Sequence, residues 1–209
     1  MHPAILLYAP AKEFLDAMAT MGWAVLPMSL SGAEGLDLKK ECKASYLDGA
    51  FHQAGVGRGE SLQVREDIRR DEVMWIQPCK ASAHQMRYLA NLETLRLALN
   101  ERFFLGLFDF EGHFAIYQQG AYYKAHLDRH TGTSDRIVTI ILYLNEGWQT
   151  GDGGELKLWT SAAGPNGCYE LIEPRMGTMV CFMAEDFWHE VLPATKQRTS
   201  ITGWFRQRS

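Results

Sequence analysis

The feature that most constrains the fold of this chain is a change of pattern at Phe103. From there to the C-terminus, apolar segments of strand length alternate with turns. The candidate strands are FFLGLFDF, HFAIYQQG, YYKAHLD, RIVTIILYLN, GELKLW, YELIEP, GTMVCFM and SITGWFRQ. Many short strands in succession are typical of a β-sandwich or barrel, so we expect one in this half of the chain.

The first half of the chain is predicted to be mainly helical. Tyr88, Leu92, Leu95 and Leu99 recur at helical spacing in the longest segment and should face a sheet. The predicted elements are helices at 11–21, about 33–48 (capped by Ser29 or Ser31) and about 82–101 (opened by Ser82), with strands at 23–27 and 72–76. Helices followed by strands indicate an α+β fold. We expect one domain over 1–209, with about 1–101 as helical support and about 102–209 as the core.

The segment 136–144 predicts a strand that is buried on both faces. Alternate residues of a strand point to opposite sides. Val138, Ile140 and Leu142 should meet the helices. The opposite face, which should line a barrel interior, holds Ile137, Thr139, Ile141 and Tyr143.

Composition excludes several function classes. The chain has 209 residues, of which 46% are hydrophobic, and a net charge of −4, which argues against nucleic acid or an anionic membrane as partner. We find no apolar segment long enough to span a membrane and no signal peptide at the N-terminus. The four cysteines are scattered without a C-x-x-C pair, which indicates free thiols in a cytoplasmic protein.

Three residues have the pattern of a metal site. His126 and Asp128 are two positions apart, so both side chains project to one side of an extended segment. His189 would add a third ligand from a distant strand. Two histidines and one carboxylate leave coordination positions open, which suits iron(II) that must also bind a co-substrate and dioxygen.

The H-x-D motif alone is a weak signal, and its alternative is a surface histidine beside an aspartate. The same surface interpretation is applied to the histidines that we leave out of the metal site, which are His2, His52, His84, His113 and His130.

Arg198, nine residues after His189, strengthens the metal-site interpretation. A turn through Pro193 and Ala194 is predicted to return the chain as a neighbouring strand, with Arg198, Ser200, Thr202 and Trp204 on one face. A buried guanidinium is costly unless it is paired, and a dicarboxylate co-substrate would pair with it in bidentate geometry. The alternative is an exposed charge on a strand.

Taken together, these residues resemble the 2-oxoglutarate- and iron(II)-dependent prolyl hydroxylases, of the hypoxia-factor type and its bacterial relatives. The resemblance covers roughly residues 50–206. The segments that carry it are DIRRDEVMWI at 67–76, IYQQGAYYKAHLD at 116–128, ILYLNEGWQTGDGGELKLW at 141–159 and WHEVLPATKQRTSITGWF at 188–205.

The resemblance implies a double-stranded β-helix, a jelly-roll barrel with supporting helices. It implies iron(II), 2-oxoglutarate and dioxygen as cofactor and co-substrates, with stimulation by ascorbate. Tyr143 would bind the distal carboxylate of 2-oxoglutarate beside Arg198, and Tyr117 would lie near the iron and the 1-carboxylate. The remaining pocket residues implied are Tyr123, Ile141, Thr202 and Trp204. The spacing from Tyr117 to His126 is one residue shorter than in the hypoxia-factor enzymes.

The resemblance also implies a substrate class, the 4-position of a prolyl residue in a protein, with elongation factor Tu as a candidate. Residues 52–66, which contain the glycine-rich AGVGRGE, would form a lid over the peptide. Two alternatives stay open. One is an oxygenase of a free amino acid or small metabolite, and the other is a metal-binding or 2-oxoglutarate sensor without turnover.

Overall fold

The computed structural model describes residues 12–27, 29–57, 63–128 and 135–208. Three α-helices and thirteen β-strands form within these ranges. The helices are α1 (Lys12–Met21), α2 (Gly32–Leu47) and α3 (Ala83–Phe103). The strands are β1 (Trp23–Leu26), β2 (His52–Gln53), β3 (Gly55–Val56), β4 (Gln63–Val64), β5 (Asp71–Trp75), β6 (Leu107–Tyr117), β7 (Tyr123–His126), β8 (Arg136–Tyr143), β9 (Leu156–Trp159), β10 (Tyr169–Ile172), β11 (Met179–Met183), β12 (His189–Val191) and β13 (Arg198–Gln207).

Two antiparallel sheets form the β core. The major sheet has the order β1-β11-β8-β13-β6-β5-β2, and the minor sheet has the order β10-β9-β12-β7. Their inner faces pack together, with Ile141 and Val180 of the major sheet in one apolar cluster with Leu156 and Leu158 of the minor sheet. This arrangement of two facing antiparallel sheets confirms the predicted jelly-roll fold. Strands β1, β2 and β5 from the first half of the chain also belong to the major sheet.

The helices cover the outer face of the major sheet. Tyr88, Leu92, Leu95 and Leu99 of α3 are buried, as their spacing predicted, in the cluster that also contains Val138, Ile140 and Leu142. Two serines begin the longer helices. Ser82 accepts a hydrogen bond from the Gln85 N–H, and Ser31, rather than Ser29, forms a capping box with Glu34 at the start of α2.

One residue of β8 departs from the predicted alternation. Ile137 packs against the core shared with the helices and does not face the barrel interior. Opposite it, Phe205 pairs with Val138 whereas Arg206 pairs with Arg136, so Ile137 is an extra residue at a register shift. A β-bulge of this kind turns a side chain away from the face that simple alternation assigns to it.

The predicted division of FFLGLFDF and HFAIYQQG into two strands is wrong. Glu111 and Gly112 do not turn, and β6 runs unbroken through them. Gly112 pairs directly with Gly203 of β13, and the ring of Phe110 lies over this pair. A Cβ atom on Gly112 would lie 2.6 Å from that ring. Glycine is therefore required because the Phe110 ring occupies the space of a side chain, and not because the chain turns.

The prediction that β13 neighbours β12 is also wrong. β12 belongs to the minor sheet and β13 to the major sheet. Pro193 and Ala194 lie in the connection that crosses between the sheets, where the Pro193 carbonyl accepts from the Gly154 N–H and the Ala194 carbonyl accepts from the Gly120 N–H. The residue paired with Arg198 is Tyr117 of β6.

The four cysteines are free thiols, with Cys42 and Cys181 buried. No helix in the described part of the chain combines the length and the apolarity that crossing a membrane requires.

Candidate active site

The inner face of the major sheet presents side chains in rows that run across the strands. Residues two apart on a strand share a face, and the strand register aligns them with partners on neighbouring strands. The four rows are Asp71–Tyr117–Arg198, Val73–Ala115–Ser200–Tyr143, Trp75–His113–Thr202–Ile141 and Glu111–Trp204–Thr139. We name them the Arg198 row, the Tyr143 row, the His113 row and the Trp204 row. Each lies two residues along the strands from the next.

The minor sheet brings the three predicted metal ligands together. His126 at the end of β7 pairs directly with His189 at the start of β12. Asp128 follows two residues after His126, and its carboxylate oxygens lie 3.6 Å from His126 Nε2 and 3.5 Å from His189 Nε2. The three ligand atoms lie within 4.8 Å of one another, so they could hold one metal ion.

Hydrogen bonds orient each ligand. His126 Nδ1 lies 2.7 Å from the Lys124 carbonyl oxygen, and His189 Nδ1 lies 3.0 Å from that of Phe187. Because a carbonyl only accepts, each Nδ1 carries the proton and each Nε2 lone pair is directed to the shared centre. Thr139 Oγ1 donates to the Asp128 carboxylate over 2.8 Å.

The electrostatics favour the protonation states that metal ligands need. Burial acts to raise the pKa of Asp128, but His189 and His126 outweigh it and hold that pKa below its ordinary value. Burial and the nearby His126 lower the pKa of His189 to about 4. At neutral pH, Asp128 is therefore a carboxylate and His189 a neutral imidazole.

Two stacked side chains, Tyr123 and Arg69, support His126 from the side. Tyr123 lies parallel to the imidazole, with ring centroids 3.6 Å apart. The Arg69 guanidinium lies on the other side of Tyr123, 4.1 Å from its ring centroid. Arg69 donates two hydrogen bonds to the fully buried Asp71, which neutralises its charge.

Arg198 lies on the inner face of the barrel, as predicted, and is only 1% exposed. Its Nε donates to the Gly154 carbonyl over 2.9 Å. No carboxylate among the described residues forms an ion pair with it. The rings of Tyr117 and Tyr143 flank it, each with its centroid 5.0 Å from Arg198 Cζ. A buried guanidinium without a carboxylate partner is the expected feature of a site that binds an anionic ligand.

Tyr143 adds a second unsatisfied group at the same end of the cavity. Its side chain is fully buried, and its hydroxyl has no hydrogen-bond partner among the described residues. Burial raises its pKa to about 12, with Arg198 opposing the shift, so the hydroxyl remains a donor. Burial likewise raises the pKa of Tyr117. Buried polar groups are rarely left without a partner, so this hydroxyl also indicates a ligand.

A single cavity of about 420 Å³ connects these groups. The predicted residues that line it are Tyr117, Tyr123, His126, Asp128, Ile141, His189, Arg198, Thr202 and Trp204. Tyr143 is not among the lining residues and lies beside Arg198 in the next row. Of the glycine-rich segment, Ala54, Gly55, Val56 and Gly57 also line the cavity. The predicted lid at 52–66 includes residues 58–62, which lie outside the described residues.

Several cavity residues were not predicted. His113, expected at the surface, is 4% exposed and lines the cavity. The alternation HFAIY, which puts His113 on the same face as Tyr117, is the signal that could have placed it. His52 is exposed but also borders the cavity, His84 pairs with Asp37 on the outer surface, and His2 and His130 lie outside the described residues. Sequence reasoning also assigned no role to Arg69, Asp71, Trp75 or Arg136.

The residues present fit the groups that the resemblance implies. Two imidazoles and one carboxylate leave open positions, which suits iron(II). The Arg198 guanidinium, which has no carboxylate partner among the described residues, and the nearby Tyr143 hydroxyl suit the distal carboxylate of 2-oxoglutarate.

Comparison with known proteins agrees with this site. Residues 112–206 match the family model of the 2OG-Fe(II) oxygenase superfamily. The solved prolyl-4-hydroxylase of Pseudomonas putida is 42% identical, with a TM-score of 0.84, and the match covers 93% of this chain and 98% of that one. The chain therefore belongs to the 2-oxoglutarate- and iron(II)-dependent oxygenases, in their prolyl hydroxylase branch.

Other relatives are more distant. A Trichoplax adhaerens prolyl hydroxylase, solved with a hypoxia inducible factor peptide fragment, has the same fold at 24% identity and a TM-score of 0.80. Human Egl nine homolog 1 is 28% identical over 93% of this chain, and the Caenorhabditis elegans hypoxia-inducible factor prolyl hydroxylase is 26% identical over 95%. The chain spans 46% of the human protein and 28% of the worm protein.

Proposed function

We propose that this chain is an iron(II)- and 2-oxoglutarate-dependent oxygenase that hydroxylates a prolyl residue of a protein at the 4-position. The observation that carries the proposal is the presence, in one cavity, of the three ligand atoms within 4.8 Å of one another and of a buried arginine without a carboxylate partner. The first arrangement suits the metal and the second suits the co-substrate.

In this proposal His126, Asp128 and His189 bind iron(II), while Arg198 and Tyr143 bind the distal carboxylate of 2-oxoglutarate. Tyr117 lies as close to Arg198 as Tyr143 does, so we place it beside the same carboxylate. Its ring is 5% exposed and shields the ion pair from water, which strengthens the pairing.

When bound, iron(II), 2-oxoglutarate and dioxygen supply the oxidation: one oxygen atom enters the C–H bond, and the other enters succinate as carbon dioxide is released. The protein supplies orientation and an apolar lining. Thr139 holds the Asp128 carboxylate, the carbonyls of Lys124 and Phe187 hold the imidazoles, and Ile141 and Trp204 line the cavity.

The relatives support a prolyl substrate. The Pseudomonas putida protein, 42% identical, is a prolyl-4-hydroxylase, and the Trichoplax protein was solved with a peptide fragment. Trp75, which is 42% exposed, lies at one edge of the cavity and offers an apolar contact to an extended peptide. Elongation factor Tu remains the candidate protein substrate.

We further propose that residues 52–66 close over the bound peptide. The described part of this segment lines the cavity, and Arg69 Nη1 donates to the Gly55 carbonyl over 3.4 Å, which ties β3 to the stack behind His126. Limited proteolysis with and without a peptide that is turned over tests this. Cleavage within the segment should slow when the peptide is bound, and unchanged cleavage contradicts a lid.

The function is tested by anaerobic loading of the protein with iron(II) and 2-oxoglutarate, followed by exposure to air with one of three substrates. These are elongation factor Tu, a panel of short blocked peptides with one central proline, and free L-proline. Succinate is measured together with the gain of one oxygen atom on proline.

Hydroxylation of the protein or a peptide supports the proposal. Hydroxylation of free proline alone would favour the small-metabolite alternative. A protein that binds metal and 2-oxoglutarate but forms no succinate with any substrate would favour a sensor.

A further inference from the structure

His113 lines the cavity, and the proposed function assigns it no role. It lies on β6 and pairs with Thr202 on one side and Trp75 on the other. Its imidazole contacts two tryptophans, with centroids 4.8 Å from the Trp75 ring and 5.6 Å from the Trp204 ring. These contacts fix the plane of the imidazole, so its ring nitrogens have a defined direction.

The imidazole has an unused hydrogen-bonding atom. His113 is 4% exposed, and its buried Nδ1 has no hydrogen-bond partner among the described residues. Because Nδ1 is buried whereas the ring lines the cavity, Nε2 is the nitrogen that a bound molecule can reach. Burial, with a further contribution from Arg69, lowers the pKa of His113 to about 3. The ring is therefore neutral and carries one N–H donor and one acceptor nitrogen.

His113 is neither a predicted metal ligand nor one of the groups suited to the distal carboxylate of 2-oxoglutarate. It is not in the group of ligand atoms formed by His126, Asp128 and His189. The groups suited to the distal carboxylate lie further along the strands, in the Tyr143 and Arg198 rows. On its other side, His113 borders the half-exposed Trp75 at the edge of the cavity. A substrate segment that enters the cavity from that edge would lie against both Trp75 and His113.

We propose that His113 determines substrate recognition by donating a hydrogen bond from its neutral imidazole to a main-chain carbonyl oxygen of the bound prolyl segment. This rests on the proposed function. A prolyl residue has no backbone N–H, so the main chain on either side of it offers acceptors in excess of donors. A neutral donor held between two tryptophans matches that chemistry, and the tryptophan faces suit the apolar pyrrolidine ring.

Two substitutions separate a hydrogen bond from a packing role. His113→Phe keeps an aromatic ring between the tryptophans and removes the N–H. His113→Gln places an amide N–H donor near the position of Nε2 and loses the ring. His84→Phe is the matched control, because His84 is a histidine on the outer surface.

KM for peptide and for 2-oxoglutarate is measured with the blocked prolyl peptide that the wild-type protein hydroxylates fastest, or with elongation factor Tu if only the intact protein reacts. For His113→Phe, KM for the peptide should rise roughly tenfold, the value of one lost hydrogen bond, and more than KM for 2-oxoglutarate. His113→Gln should recover most of this loss, and His84→Phe should match the wild type.

An equal rise in both His113 variants, or no rise in His113→Phe, overturns the proposal while the proposed function stands. If the wild-type protein hydroxylates no prolyl substrate at all, the proposed function and this proposal fail together.

A second test uses the wild-type protein, so its result does not depend on whether the variants fold. The protein is labelled with ¹⁵N-histidine and loaded with Zn(II), which is diamagnetic and binds the same ligand types. The His113 imidazole resonances should shift on addition of the prolyl peptide, whereas those of His84 on the outer surface should stay unchanged. Resonances that do not respond to the prolyl peptide overturn the proposal.

Discussion

Tyr123 and His126 are stacked face to face, with their ring centroids 3.6 Å apart and their planes inclined by 16°. Backbone geometry alone does not fix an imidazole plane, because the ring rotates about its terminal torsion. Here the Tyr123 ring and the Nδ1 contact with the Lys124 carbonyl together restrict that rotation.

The stack predicts a role for Tyr123 in metal affinity. Tyr123→Leu should weaken binding of Mn(II) or Co(II) about tenfold, the lower end of the effect of residues that orient metal ligands, whereas Tyr123→Phe should bind as the wild type does. Isothermal titration under nitrogen measures both. Tyr122→Leu is the matched control, because Tyr122 is half-buried next to Tyr123 but stacks with Arg70 instead of His126. Equal affinity in Tyr123→Leu and the wild type would contradict the prediction.

Arg198→Ala and Asp128→Ala should separate the two halves of the site. Loss of the guanidinium should raise KM for 2-oxoglutarate by about 100-fold or more, because two hydrogen bonds to a charged group are lost, while metal affinity persists. Asp128→Ala should instead abolish tight metal binding. Metal titration and succinate formation across 2-oxoglutarate concentrations measure both effects.

Arg206→Ala is the control for a lost arginine on the same strand, since Arg206 pairs with Asp109 and Glu111. A normal requirement for 2-oxoglutarate in Arg198→Ala would remove the basis for placing the co-substrate there.

Tyr143→Phe should act on ligand binding without loss of stability. The Tyr143 hydroxyl is buried without a partner in the described structure, so its removal from the ligand-free protein should leave the thermal midpoint unchanged or raise it. The additional rise in midpoint that 2-oxoglutarate produces in the presence of Mn(II) should become smaller, because a donor to the carboxylate is lost.

Tyr88→Phe is the matched control for this substitution. Tyr88 has a hydroxyl that is likewise buried without a partner, but it lies on α3 against the outer face of the major sheet. Its removal should not change the response to 2-oxoglutarate. A full ligand-induced shift in Tyr143→Phe would contradict the assignment.

Gly203→Ala should destabilise the fold. A Cβ atom on Gly203 would lie 2.4 Å from the Glu111 carbonyl oxygen and 2.8 Å from Gly112 Cα, so backbone would have to move. We expect a loss of about 1 to 3 kcal/mol in the free energy of unfolding, the usual cost of overpacking. Urea denaturation measures it.

Gly32→Ala provides the comparison, because nothing lies within 4 Å of a Cβ atom at that position. It should be neutral or slightly stabilising. Equal free energies of unfolding in the two variants would contradict the prediction, because they would mean that β6 and β13 can move apart at little cost.

The common side of His126 and Asp128 and the inner position of Arg198 could be predicted because each follows from a local pattern. The spacing of His126 and Asp128 decides their side of an extended segment, and alternation from Arg198 decides its face. The same reasoning placed the apolar stripe of α3 on the sheet, because helical spacing is visible within a few turns.

Features that depend on register between distant strands could not be predicted. The pairing of His113 with Thr202 and Trp75 depends on three strands that meet only in the folded chain. The bulge at Ile137 arises from a mismatch with β13, which lies some sixty positions away in the sequence. The crossing from β12 to β13 was mistaken for a hairpin because a short proline-containing connection fits both paths.

The rows across the major sheet have a consequence for co-substrate choice. Arg198 and Trp204 lie at two levels of the same strand, and hydrogen bonding to β6 and β8 on both sides keeps that strand from stretching. Strand rise of about 3.3 Å per residue makes the depth of the cavity a fixed length. On the proposed function, we therefore expect the barrel to select its co-substrate by length: a 2-oxo diacid one carbon shorter or longer than 2-oxoglutarate should not reach both Arg198 and the proposed metal ligands.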